Sequence, residues 1–152
     1  MKFLELKVPP AVVFFLCVGL IWTIDYLFPP MFVLSLSSWI FWALLVIGAL
    51  TSVIGLIQFA VRSTSVNPHK PDHVSSLVTS GVYRLSRNPM YLGMLIILFA
   101  AALKFGHPIG LIILPLYVLY MNRFQIEPEE KAMEKKFGEK FRKYRQDVRR
   151  WV

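Results

Sequence analysis

Long apolar runs constrain this chain more than any other feature. Residues 9–28 and 39–61 are almost free of charge. Each supplies the roughly 20 residues that a helix needs to cross a bilayer. Pro29-Pro30 ends the first run as a turn, and no small-residue cleavage site follows it, so it reads as a span and not as a removable leader. Asp25 falls at its interfacial end. Trp39 and Trp42 sit at one rim of the second run, as aromatic belts do. Two shorter runs, 90–105 and 109–121, flank Gly106-His107-Pro108 and predict a helical hairpin that is tilted or partly embedded. Pro115 predicts a kink in its second arm. Only 17% of the 152 residues are charged, against about 25% in soluble domains. The expected fold is therefore an all-α integral membrane protein of about four transmembrane helices and a cytoplasmic amphipathic C-terminal helix.

Charge placement orients the spans. The net charge is +8, and Lys and Arg concentrate in the first residues, in 62–87 and after residue 122. The 29–38 connection carries none. With four spans, all three basic regions fall on one side, the cytoplasmic one, together with both ends of the chain. They face anionic headgroups there. Nucleic acid is not an expected partner, because no known binding motif accompanies the charge. Cys17 is the only cysteine and is read as packing. No zinc-ligand spacing occurs, so no metal is expected. His69, His73 and His107 are read as interfacial, and Gly48 and Gly55 as points of close helix contact.

Two polar blocks interrupt this pattern. Arginines and acids are costly beside a bilayer, and at its boundary they suggest a site. The first runs Gly81-Val82-Tyr83-Arg84-Leu85-Ser86-Arg87-Asn88-Pro89-Met90-Tyr91-Leu92-Gly93. The second holds Glu127-Pro128-Glu129-Glu130 and continues through Phe137-Gly138 to Tyr144. Met133, Phe137, Phe141 and Tyr144 recur at helical spacing, so 127–145 reads as an amphipathic helix that Gly138 weakens or divides. Arg149-Arg150-Trp151 reads as a basic-aromatic interfacial anchor. Arg84, Arg87 and Arg123 are candidates to hold an acidic acceptor, because a guanidinium presents its donors as a fork. The rival role for each is headgroup contact.

Leu77-Val78-Thr79, Gly81, Tyr83, Arg87-Asn88-Pro89, Tyr91, Gly93, Glu129-Glu130, Phe137-Gly138, Phe141, Tyr144 and Trp151 keep the order and spacing of a known pattern. By these residues the chain resembles the isoprenylcysteine carboxyl methyltransferase family and its prokaryotic relatives, over roughly its C-terminal half. The resemblance implies S-adenosylmethionine as methyl donor, in a site formed by that half. It implies donor contacts at Ser75, Ser76, Leu77, Val78, Tyr83, Asn88, Pro89, Met90, Tyr91 and Glu129. It implies catalytic roles for Arg87 and Arg123, and acceptor contacts at Arg84 and Gln125. The eukaryotic enzymes carry His where Asn88 stands and Arg where Gln125 stands, so prenylcysteine specificity does not simply transfer.

The expected organisation is one domain of two spans (1–61), a cytoplasmic loop (62–89), a hairpin (90–122) and a donor-covering helix (123–152). The expected function is methyl transfer to an amphiphilic, lipid-like acceptor, such as a carboxylate, within a prokaryotic inner membrane. A soluble Rossmann methyltransferase is excluded, since no Gly-x-Gly-x-x-Gly follows a strand-like run. The alternatives are a phospholipid amine N-methyltransferase, an NADPH-dependent membrane reductase and a non-enzymatic membrane protein.

Overall fold

The computed structural model describes residues 5–30, 38–62 and 76–152. Residues 63–75 of the expected 62–89 loop, with Ser75, His69 and His73, lie outside the described residues. Within them the chain is helical, with no strand. Pro10–Leu27 forms α1, with Pro10 in the first turn, where its missing N–H breaks no helical bond. Phe28 precedes Pro29 and turns extended (φ −129°, ψ 137°), which ends the helix. Ser38–Arg62 forms α2, whose 25 residues reach roughly 37 Å at 1.5 Å per residue. Pro89–Phe105 forms α3 and Pro108–Met121 forms α4. Gly106, at φ 70°, closes α3 in the left-handed conformation that glycine adopts without strain.

This is an all-helical integral membrane protein. α1, α2 and the helix that begins with α4 are each long and apolar enough to cross a membrane, while α3, at 17 residues, is shorter. Their outward faces, including Phe15, Leu16 and Trp22 on α1 and Trp42, Val46 and Leu50 on α2, are exposed and apolar. Such a surface suits lipid, and in water it would drive association. The inward faces of α1, α3 and α4 meet in one core around Ile21, Leu98, Tyr117 and Met121. On α2, Gly48 lies against Gly93 of α3, and a Cβ on Gly48 would come within 2.7 Å of the Gly93 carbonyl. The Ser52 hydroxyl donates to the Met90 carbonyl at 2.9 Å in the same interface.

The path of the chain around Glu127 differs from the sequence reading. The polar block at Glu127 does not start a new helix. α4 continues through one turn of π-helix, Asn122–Ile126, into α5, Glu127–Phe137. Pro128 has no N–H for the Phe124 carbonyl, and that carbonyl accepts from Leu6 N–H instead, at 3.0 Å. Gly138 (φ 52°, ψ −124°) then divides the expected amphipathic helix into α5 and α6, Glu139–Asp147. Phe137, Phe141, Tyr144 and Met133 nevertheless share one small cluster with Leu77 and Val148, as their spacing predicted. His107 is a correction: it is buried, not interfacial, and its ring nitrogen caps α4 by accepting from Ile109 N–H.

Candidate active site

The two polar blocks meet at one end of the bundle, around a cavity of about 340 Å³. Its walls come from the start of α1, the end of α2, residues 76–78, Tyr83, the first turns of α3, and α5 with α6. Tyr83 is placed by a 3₁₀ turn, Gly81–Arg84. That turn is pinned to α2: Gln58 accepts from Val82 N–H at 3.2 Å, and the Tyr83 hydroxyl donates to the Gly55 carbonyl at 3.3 Å. Gly81, at φ +62°, packs so closely on Gln58 that a Cβ would fall 2.2 Å from its amide. Tyr144 of α6 donates to the Tyr83 carbonyl at 2.6 Å, joining the cap to the turn. Burial raises the Tyr83 phenol above its ordinary pKa and pushes Tyr144 up to about 12, so both stay protonated near neutral pH.

Two adjacent acids on α5 have opposite surroundings. α5 is the charged end of its helix and lies beyond the apolar stretch that spans the bilayer. Glu129 stands deep in the protein with part of its surface open to the cavity. The Tyr91 hydroxyl donates to it at 2.7 Å. No ion pair to Glu129 forms among the described residues. Burial raises its pKa to about 7, against the lowering effect of the Tyr91 hydrogen bond and with a small push from Glu130. Glu130 also borders the cavity, but its carboxylate is taken up by arginines. It accepts from Arg87 at 2.6 Å and from Arg150 at 2.6 and 3.2 Å. Burial opposes its charge, but these bonds outweigh burial and hold its pKa below the ordinary value. Successive helical residues are about 100° apart, which is why one neighbour meets Tyr91 and the other meets Arg87 and Arg150.

The structure brings Ser76, Leu77, Val78, Tyr83, Arg87, Asn88, Met90, Tyr91 and Glu129 to this one cavity. Pro89 opens α3 beneath them. Arg123, Arg84 and Gln125 are not brought there. Arg123 pairs with Glu5 and Glu127 at 3.1 and 3.5 Å and is 44% exposed. Arg84 lines a separate open groove with Lys140, Lys143 and Asp147. Gln125 is buried beneath the π turn and donates to the Val8 carbonyl. Arg150 and Trp151, read as part of an interfacial anchor, have partners within the protein. Arg150 pairs with Glu130, and Trp151 donates to the Asn122 side chain at 3.0 Å. Sequence reasoning missed the contributions of Pro10, Leu56, Phe59 and Met94 to the cavity. Apolar residues in apolar helices carry no local signal of their place. Ser86 left one: Ser-x-Asn-Pro suits a side-chain-capped turn, and Ser86 does accept from Asn88 N–H at 3.1 Å.

These features define a class, a helical membrane protein with a small-molecule cavity at one end of its bundle. The sequence pattern of the phospholipid methyltransferase family matches residues 35–140, and the chain belongs to that family of membrane methyltransferases. It is 43% identical over 63 residues to an uncharacterised protein of Haemophilus influenzae, covering 41% of this chain and all of that one. It is 30% identical over 118 residues to a methanethiol S-methyltransferase of Pseudomonas deceptionensis, covering 76% of this chain and 43% of that enzyme. This chain therefore spans under half of that enzyme's length. No solved structure matches it.

Proposed function

We propose that this protein transfers a methyl group from S-adenosylmethionine to an amphiphilic acceptor at the cytoplasmic face of the membrane. The observation that carries the reading is Glu129, a carboxylate open to the cavity that forms no ion pair among the described residues. Enclosed acids are costly unless paired, and a cationic ligand would complete the pair. The residues fit such a donor. Glu129 would accept from its ammonium or ribose hydroxyl groups. Tyr83, Tyr91 and Phe141 offer ring faces, where a cation gains about 0.5–2 kcal/mol. The first turn of α3 has leading amides without helical partners, which suit the donor's carboxylate. Ser76, Leu77, Val78, Asn88, Pro89 and Met90 complete the same wall. When bound, the donor supplies an electrophilic methyl on a sulfonium centre.

The chain's own residues would position the acceptor. Leu56, Phe59, Met94 and Pro10 form an apolar side of the cavity, and an amphiphilic acceptor would enter from the bilayer, between the spans and the α3–α4 hairpin. Among the described residues no histidine lines the cavity, and an acceptor that needs no base, such as a carboxylate or an ionised thiol, suits that lining. Similarity to an enzyme named for methanethiol favours the thiol as a second acceptor class. Lys and Arg placement supports both ends of the chain on the cytoplasmic side of a bacterial inner membrane. Calorimetry on the detergent-solubilised protein tests the donor: S-adenosylmethionine is expected to bind and NADPH is not. Binding of NADPH alone would instead support a reductase. Turnover of a long-chain acceptor should exceed that of its tailless analogue, and equal turnover would remove the apolar-acceptor reading.

A further inference from the structure

Residues 148–151 form a short non-helical strap that packs against the segment leading into α3. Val148 leaves α6 in extended geometry (φ −127°, ψ 133°). Three consecutive residues, Ser86, Arg87 and Asn88, then donate to the strap and the last turn of α6. Arg87 Nη1 reaches the Arg145 and Val148 carbonyls at 2.9 and 2.6 Å. Arg87 N–H reaches the Arg149 carbonyl at 3.1 Å. The Ser86 hydroxyl and the Asn88 amide both reach the Arg150 carbonyl, at 3.3 and 2.9 Å. Glu130 closes the arrangement from α5 by holding Arg87 and Arg150 at once.

We propose that Glu130, Arg87 and Arg150 are positioning residues that set the donor site by clamping this strap between α5 and the start of α3. The inference rests on the donor reading above. Its logic is geometric. Glu130 adjoins Glu129, and Asn88 stands three residues before Tyr91. The clamp therefore ties together the two backbone segments that carry the Tyr91–Glu129 contact across the cavity. The Arg87 side chain is committed on two sides, to Glu130 and to backbone carbonyls, so it acts through the strap and not on an acceptor. Asn88 has its side-chain donor turned to Arg150, so that position holds the strap as well as lining the cavity.

The test uses the full chain in detergent, with Glu130→Gln, Arg150→Gln and the conservative Arg150→Lys. Calorimetry would give donor Kd, and initial rates at saturating donor would give kcat. Both glutamine variants should bind S-adenosylmethionine about ten-fold more weakly or worse, in line with loss of a charge-assisted bond. Their kcat should stay within a few-fold of the original. Arg150→Lys should fall between, because an ammonium cannot reproduce the two-pronged contact. The double variant Glu130→Gln with Arg150→Gln should bind no worse than the weaker single one, because both changes break one clamp. A readout independent of the donor is tryptic cleavage at Arg149, which Glu130→Gln should accelerate. Unchanged Kd in the folded variants would overturn the clamp while leaving the donor reading intact. A collapse in kcat with Kd preserved would also overturn it, and would place these groups on the acceptor. No donor binding by the unaltered protein would overturn both readings together.

Discussion

Glu129 and Glu130 are chemically alike and adjacent, yet they serve two regions with opposite electrostatics. On the cavity side, Glu129 has a tyrosine donor and no cation among the described residues, and burial lifts its pKa to about 7. On the strap side, Glu130 has two guanidiniums and titrates below its ordinary value. The first environment is incomplete and accommodates a ligand. The second is complete within the protein and holds the fold together. A buried acid is costly alone and tolerable when paired, so the presence of a partner separates a binding group from a structural one.

The largest expected effect falls on the strap side. Glu130→Ala leaves two arginines facing each other without a counter-ion, and should cost about 3 kcal/mol of stability. Thermal unfolding in detergent would show it as a clear drop in Tm. Glu129→Gln should do the reverse, holding or raising the Tm of the ligand-free protein at pH 8, because it removes an unpaired charge. Equal losses at both positions would erase the distinction between the two regions.

Donor binding should show the opposite ranking for the direct contact. Glu129→Gln should weaken S-adenosylmethionine binding by about 1.5–3 kcal/mol, the worth of a hydrogen bond to a charged group. Calorimetry gives this directly.

A pH series sharpens the comparison next. The folded pKa of Glu129 lies above its unfolded value, so the folded state holds the extra proton between about 4.5 and 7. Its contribution to ligand-free stability therefore declines as pH rises through that window. A cationic donor prefers the ionised form, so its affinity should climb with pH up to about 7, by at most about ten-fold per unit, and then level. Glu129→Gln should flatten that profile. Glu130 has the opposite sign: its stabilisation is present above its unfolded pKa and is lost as pH falls through its lower folded value. A flat affinity profile in the unaltered protein would mean that Glu129 does not meet a cation.

Tyr91→Phe should have a smaller effect, about 1 kcal/mol of donor affinity, through the lost hydrogen bond to Glu129. The smallest effect is expected at Arg123→Gln. Its exposed pairs with Glu5 and Glu127 are worth about 0–1 kcal/mol, and donor affinity should not move. A large loss there would bring Arg123 back as an acceptor group.

The sequence by itself determined the membrane class and the helix positions, because apolar runs of spanning length leave few alternatives. It also marked the two polar blocks, since arginines, tyrosines and acids at a membrane edge stand out against their background, and the family resemblance grouped Tyr83, Asn88, Tyr91 and Glu129 within them. The family resemblance singled out Glu129 over Glu130, but nothing in the chain said which of the two would meet the arginines. That depends on the phase of α5, which is carried over from α4 through a π turn that no local signal announced. Nor could it decide where the arginines point. Arg84, Arg87, Arg123 and Arg150 look interchangeable in the chain, and they separate only once folding brings Glu130, Glu5 or open solvent beside them. Helix propensity and hydropathy are local and are written in short windows. The partner of a charge is a residue tens of positions away, and only the packed bundle selects it.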